Sequence, residues 1–161
     1  PPWSLTEEAS NSPTHAWSDS PYGPYGNDAN VSLQTVSPIS LEGLSNPELA
    51  FYTMTDLESG WDFGLVEISG DGGQRWVEVA SLTGERPAWQ EHRISLDRFR
   101  GRTILIRFRL RTDFSVTGDG WYIDDVVVRE KVRDVRHEAR SAIDGLVAYG
   151  GTSMAQGCAR Q

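Results

Sequence analysis

A chain of 161 residues falls within the range of one domain and at that length buries roughly 70% of the surface its unfolded form exposes, so it needs neither metal nor disulfide to hold a core. Its formal net charge of −8 and pI of about 4.8 exclude a phosphate-binding surface built on clustered Lys and Arg, and nucleic acid is not expected as a partner. The single cysteine, Cys158, excludes a disulfide framework and a Cys-based zinc site, and with no run of about 18 apolar residues no membrane span is expected.

No signal peptide is visible, and the Pro1-Pro2 start reads as a domain boundary or processed end. In residues 1–30 the prolines and glycines of "SPYGPYGNDAN" forbid a regular element. Trp3, Trp17, Tyr22 and Tyr25 give this stretch more apolar surface than linkers carry, which favours a loop packed on a core over a disordered linker.

From Val31 to Val128 short runs of alternating apolar and polar residues mark half-buried strands. The strands are expected near Val31 to Val36, Leu49 to Thr55, Gly64 to Ser69, Trp76 to Leu82, Trp89 to Leu96, Thr103 to Arg111 and Trp121 to Arg129. Asp71-Gly72-Gly73 is a hairpin signal, because glycine takes positive φ without a Cβ clash. In "TILIRFRLR", Ile104, Ile106, Phe108 and Leu110 face a core, while Leu105, Arg107, Arg109 and Arg111 face outward as a row of solvated charges rather than an anion site. After Val128 the apolar residues Val132, Val135, Ala139 and Ile143 recur at three or four, which predicts a short amphipathic C-terminal helix. The expected fold is therefore all-β, a two-sheet antiparallel sandwich over 15–129. An extension at 1–14 precedes it, and a helical connector and tail at 130–161 follow.

The ordered set "SLQTVSPISL", "PELAFYT", "WDFGLVEISGDGGQRWVEV", "PAWQEHRISLDRFRGRTILIRFRLRTD" and "GDGWYIDDVVV" resembles the MAM-like jelly roll found beside bacterial secreted proteases of the immune inhibitor A and bacillopeptidase F types. The resemblance covers about residues 15–129. It implies a jelly-roll connection of the two sheets, with the "GWYIDDV" strand near the C-terminal edge.

Two adjacent aspartates on a strand point to opposite faces, so either Asp124 or Asp125 is expected inward or at a sheet end, where a carboxylate must be paired, hydrogen-bonded or metal-bound. Related jelly rolls often hold a cation near this pair and an N-terminal loop. Carried over, the resemblance implies structural calcium held by Asp124 or Asp125 together with Asp19, Asn27 or Asp28. The alternative is that Asp124 caps backbone amides of the loop through Asn27 and Asp28 without metal. Asp62 and Asp71 are read as turn residues rather than ligands.

Trp61, Trp76, Trp89 and Trp121 can be arranged as a platform for stacking on sugars, but Trp76 and Trp89 sit in strand patterns that favour buried indoles, which leaves Trp17 and Trp61 as the exposed candidates. His15, His92 and His137 are scattered, and there is no HExxH helix. "GGTSMA", Gly150 to Ala155, is similar to the nucleophile turn of subtilases and makes Ser153 the single catalytic candidate. The following "QGCARQ" departs from that family, and no triad motif precedes it; a serine without a base is not an activated nucleophile.

The leading expectation is a non-catalytic accessory module of a secreted, extracellular bacterial peptidase. It stabilises a neighbouring protease domain or contacts protein substrate or the cell surface. The alternatives are a fragment of a subtilase-type serine peptidase using Ser153, and a carbohydrate-binding or adhesion module.

Overall fold

The computed structural model describes residues 3–132, 141–142 and 145–149. In chain order the strands are β1 (Ser4–Thr6), β2 (Ala16–Ser18), β3 (Asn30–Thr35), β4 (Ile39–Ser40), β5 (Pro47–Asp56), β6 (Phe63–Ser69), β7 (Val77–Leu82), β8 (Glu85–Ser95), β9 (Thr103–Arg111), β10 (Gly120–Glu130), β11 (Ser141–Ala142) and β12 (Leu146–Tyr149). One six-stranded sheet runs β1-β2-β10-β5-β8 with β11 on β10. The other runs β12-β3-β9-β6-β7 with β4 on β9. Every pairing is antiparallel. Strands distant in sequence lie side by side, β10 between β2 and β5 and β9 between β3 and β6, which is the long-range connection of a jelly roll. No helix among the described residues is long and apolar enough to cross a membrane.

Period-two alternation builds the core. Ile104, Ile106, Phe108 and Leu110 of β9 are all at most 1% exposed. The first three share one core with Leu49 and Phe51 of β5 and Trp121 and Ile123 of β10, while Leu110 packs with Tyr25 and Leu57. Phe108 lies edge-on to Phe51 and to Trp121 at ring separations of 5.2 and 5.9 Å, and Trp3 lies edge-on to Trp121 at 5.5 Å. The Trp121 indole donates to Thr53 Oγ1 at 2.7 Å, so its polar atom is satisfied inside the core. Gly64 is required where it stands, because a Cβ there would fall 2.8 Å from the Trp121 ring.

The first thirty residues are packed. Trp3, Trp17 and Tyr25 are buried, β2 pairs with β10, and only Tyr22 among the four aromatics is exposed. Strands β1 and β12 lie outside 15–129 and extend the two sheets. The hairpin between β6 and β7 turns at Gly72 and Gly73, both with positive φ, and Asp71 Oδ1 accepts from the amides of Gln74 and Arg75.

The expected short C-terminal helix is not shown: β10 runs to Glu130, β11 pairs Val127 and Val128 with Ala142 and Ser141, and residues 133–140, with Val135 and Ala139, lie outside the described residues, as does Ile143. Two other expectations are corrected. Arg111 is exposed as expected, but Arg107 and Arg109 are not solvated charges. Arg107 and Arg109 both donate to Glu67, itself 5% exposed, and Arg107 lies 4.1 Å over the Trp76 ring. Burial works to raise the Glu67 carboxyl, but Arg109 and Arg107 outweigh it and hold it below the ordinary carboxylate range. Trp76 and Trp89, expected as buried indoles, are half-buried rather than core residues.

Candidate functional site

The expected calcium ligands do not converge. A β-bulge between Asp124 and Val127, with Asp125 at φ 52°, breaks the strand alternation and turns both carboxylates toward one N-terminal turn. Asp124 Oδ2 accepts from the amides of Asn11 and Ser12 at 2.9 and 3.0 Å, and its Oδ1 accepts from the Asp125 amide. Asp125 accepts from the Asn11 side-chain amide and from Ser12 Oγ. The pair is thus a clasp on the turn at Asn11 and Ser12, not on the loop of Asn27 and Asp28. Burial lifts the Asp124 carboxyl above its ordinary range while the amides it accepts from act against that rise.

Asn27 and Asp28 are exposed, and their loop is tied elsewhere: the Asp28 amide donates to the Asp113 carbonyl at 2.6 Å. Asp19 is 1% exposed, and its Oδ1 accepts from the Trp121 amide at 2.6 Å. Its Oδ2 is enclosed with no partner, and burial pushes the group up to about 7. A cation needs several hard oxygens. Asp19, Asp124 and Asp125 do not bring their carboxylates within 4.8 Å of one another as a group.

Among the described residues one trio does so: Glu58, Asp62 and Asp113. They sit at one end of the sandwich, on the connections β5–β6 and β9–β10. Asp62 is fully buried; its Oδ2 accepts from the Tyr25 hydroxyl at 2.7 Å and its Oδ1 from the Asp113 amide at 2.8 Å. The Tyr25 oxygen in turn accepts from the Glu58 amide at 3.0 Å, and burial together with Asp62 pushes the phenol well up. Thr83 Oγ1 donates to the carbonyls of Glu58 and Asp62, which fixes the short loop between them. Burial, then Asp113 and Asp62, raise the Glu58 carboxyl. Trp61, Phe114 and Val116, 65%, 76% and 60% exposed, stand on the same two connections. Val116 also holds a left-handed φ of 57°, a strained conformation for a β-branched residue.

The sequence reading of Asp62 as a turn residue is therefore incomplete, since its carboxylate is buried at the centre of this cluster. Trp17, expected as an exposed indole, is 3% exposed, whereas Trp61 is exposed as expected. His92 stacks on Phe51 at 5.5 Å, and burial followed by Arg86 lowers its imidazole below the usual value. Ser153 and His137 lie outside the described residues.

The class these features define is a two-sheet antiparallel β-sandwich with a carboxylate-rich loop cluster at one end. No family model matches the chain. It is 33% identical over 109 residues to bacillopeptidase F of Bacillus subtilis (strain 168), a match that covers 68% of this chain and 8% of that protein. Two solved structures align with it: the K2 cleaved adhesin domain of Lys-gingipain, with TM-score 0.48, 13% identity and 76% of each chain covered, and TmCBM61 in complex with β-1,4-galactotriose, with TM-score 0.47, 15% identity, and 80% of this chain and 88% of that one covered.

Proposed function

We propose that this chain is a non-catalytic accessory module of a secreted bacterial peptidase, stabilising the peptidase or contacting its protein substrate or the cell surface. The observation that carries this reading is the 33% identity to bacillopeptidase F over a segment that makes up 8% of that protein. A module of this kind contributes through its surface loops, which a rigid sandwich positions. Labelling of the isolated chain with a fluorophosphonate probe tests it: no stoichiometric modification is expected. Modification of Ser153 that disappears in Ser153→Ala would establish an activated serine and replace this reading with the subtilase-fragment one.

A second reading, carbohydrate binding, is favoured by Trp61, a 65% exposed indole beside carboxylates at a loop end. An exposed indole offers an apolar face and a polar tip to a sugar ring. On that reading, titration with soluble oligosaccharides quenches tryptophan fluorescence saturably in the wild type and not in Trp61→Ala. A flat titration of the wild type removes it.

A further inference from the structure

We propose that a cavity on the outer face of the sheet that carries β5, β8 and β10 binds one ring of a neutral oligosaccharide. The inference rests on the carbohydrate reading above and gives it a site that does not include Trp61. Tyr122 of β10 stands opposite Met54 of β5, and both alternate with residues that point into the core, Trp121 and Thr53. With Pro87 of β8 they supply the apolar lining of the cavity. Its volume is about 210 Å³, below the roughly 300 to 1,000 Å³ of sites for drug-sized ligands, which suits a single ring. A β-bulge shapes the opening: Thr53 and Thr55 pair with Gln90 and Arg86, so Pro87, Ala88 and Trp89 stand against Met54 alone. Pro87 has no amide to give to the ladder, and bulges of this kind re-aim side chains beside binding sites.

The polar lining carries both signs. Asp56, Glu85 and Asp119 contribute carboxylates and Arg86 a guanidinium, yet none of the ion pairs among the described residues involves any of the four. The two aspartates are held in place: Asp56 Oδ2 accepts from the Asp119 amide at 2.8 Å, and Asp119 Oδ2 accepts from the Tyr122 hydroxyl at 2.9 Å. Tyr122 is itself only 5% exposed, which fixes its ring. Among the described residues no donor reaches Oδ1 of either aspartate, so each keeps an oxygen for a ligand.

This lining selects the ligand. An anion would meet three carboxylates, and a cation would have to settle beside Arg86. A neutral hydroxyl both donates and accepts, so neighbouring hydroxyls of one ring can donate to Asp56 and Asp119 and accept from Arg86. The C–H face of the ring packs on Met54, Pro87 and the Tyr122 ring, an apolar surface with a few polar groups around it, as in other small-ligand sites.

The whole chain is titrated by calorimetry with tetrasaccharides of glucose, galactose, mannose and N-acetylglucosamine, and with tetralysine and tetraglutamate as charged comparisons. Saturable binding is expected for at least one tetrasaccharide. Arg86→Ala and Asp119→Asn should each weaken it by about tenfold, the loss of a hydrogen bond to a charged group. Arg93→Ala, on the same strand but outside the cavity, should bind like wild type. Arg86 and Asp119 are both exposed, and thermal midpoints show that the variants are folded; if Asp119→Asn does not fold, Arg86→Ala decides. Binding that is lost in Trp61→Ala while Arg86→Ala titrates like wild type overturns the cavity site and leaves the carbohydrate reading standing. No binding of any tetrasaccharide by the wild type overturns both. Tighter binding of either charged peptide than of every tetrasaccharide also overturns the proposal.

Discussion

Phe108→Ala is expected to lower the stability of the chain by about 3 to 5 kcal/mol, measured from urea midpoints, because it removes a fully buried ring from the seam between the sheets. The ring is edge-on to Phe51 at 5.2 Å and to Trp121 at 5.9 Å, so its loss removes two aromatic contacts as well as apolar burial. The hole would open between two sheets whose backbones are fixed by ladders on both sides, β3 and β6 flanking β9 and β2 and β5 flanking β10. Such a seam collapses little, which places the cost toward the upper part of the range. Phe108→Leu retains most of the volume and should cost clearly less. A loss below about 1 kcal/mol in Phe108→Ala would mean that the sheets do not meet at this ring.

The second large effect is a dependence of stability on pH set by Asp19. Burial raises this carboxyl from 3.8 to about 7 in the folded chain, while the unfolded chain titrates near the ordinary value. Between these two values the folded state keeps a proton that the unfolded state has released. Stability from this group therefore falls as pH rises from about 4, and the loss is complete above about 7, amounting to as much as about 4 kcal/mol. Asp124 and Glu58, also raised, act in the same direction. His92, lowered by burial and then by Arg86, acts in the opposite direction, and only up to its ordinary value of 6.5. Asp19→Asn isolates the effect, since it keeps an acceptor for the Trp121 amide and cannot ionise. Urea midpoints taken at about pH 5 and about pH 8.5 should fall in the wild type and stay much closer together in Asp19→Asn. Equal pH slopes in the two proteins would show that Asp19 does not carry the proton.

The seven long strands were legible because their alternation spans six or more residues, enough for a period of two to stand out. Strand β9 is found at the expected residues, Thr103–Arg111, and the others lie within a few residues of expectation. Strands β1, β2, β4, β11 and β12 were not legible: each has two to four residues, and they form because a neighbouring edge offers hydrogen bonds, not because of a pattern of their own. The helix expected after Val128 is not shown, since residues 133–140 lie outside the described ones; at its ends β10 runs to Glu130 and β11 pairs with β10 at Val127 and Val128. The Asp124–Asp125 pair drew attention for a sound reason, since carboxylates at a strand must be satisfied. The bulge that turns both toward Asn11 and Ser12 has no signature in "WYIDDVVV". The trio of Glu58, Asp62 and Asp113 was hidden for another reason. Its members are local to two loops that come together only through long-range strand pairing, β6 with β9 at Phe63 and Arg111 and β5 with β10 at Asp56 and Gly120.

Residue-resolved amide hydrogen exchange tests most directly the claim that the chain closes into two antiparallel sheets with β10 and β9 near their centres. The slowest exchange is predicted at the interior strands, including Ile123 on β10, Phe108 on β9 and Val66 on β6, with the exposed edge strand β8 exchanging sooner. Protection should also extend to the Asp19 amide, which donates to the Trp121 carbonyl at 3.3 Å and ties the N-terminal segment to the sheet. Rapid exchange through Gly120–Glu130, or equal exchange at the interior and edge strands, would contradict the fold on which the placement of every site described here depends.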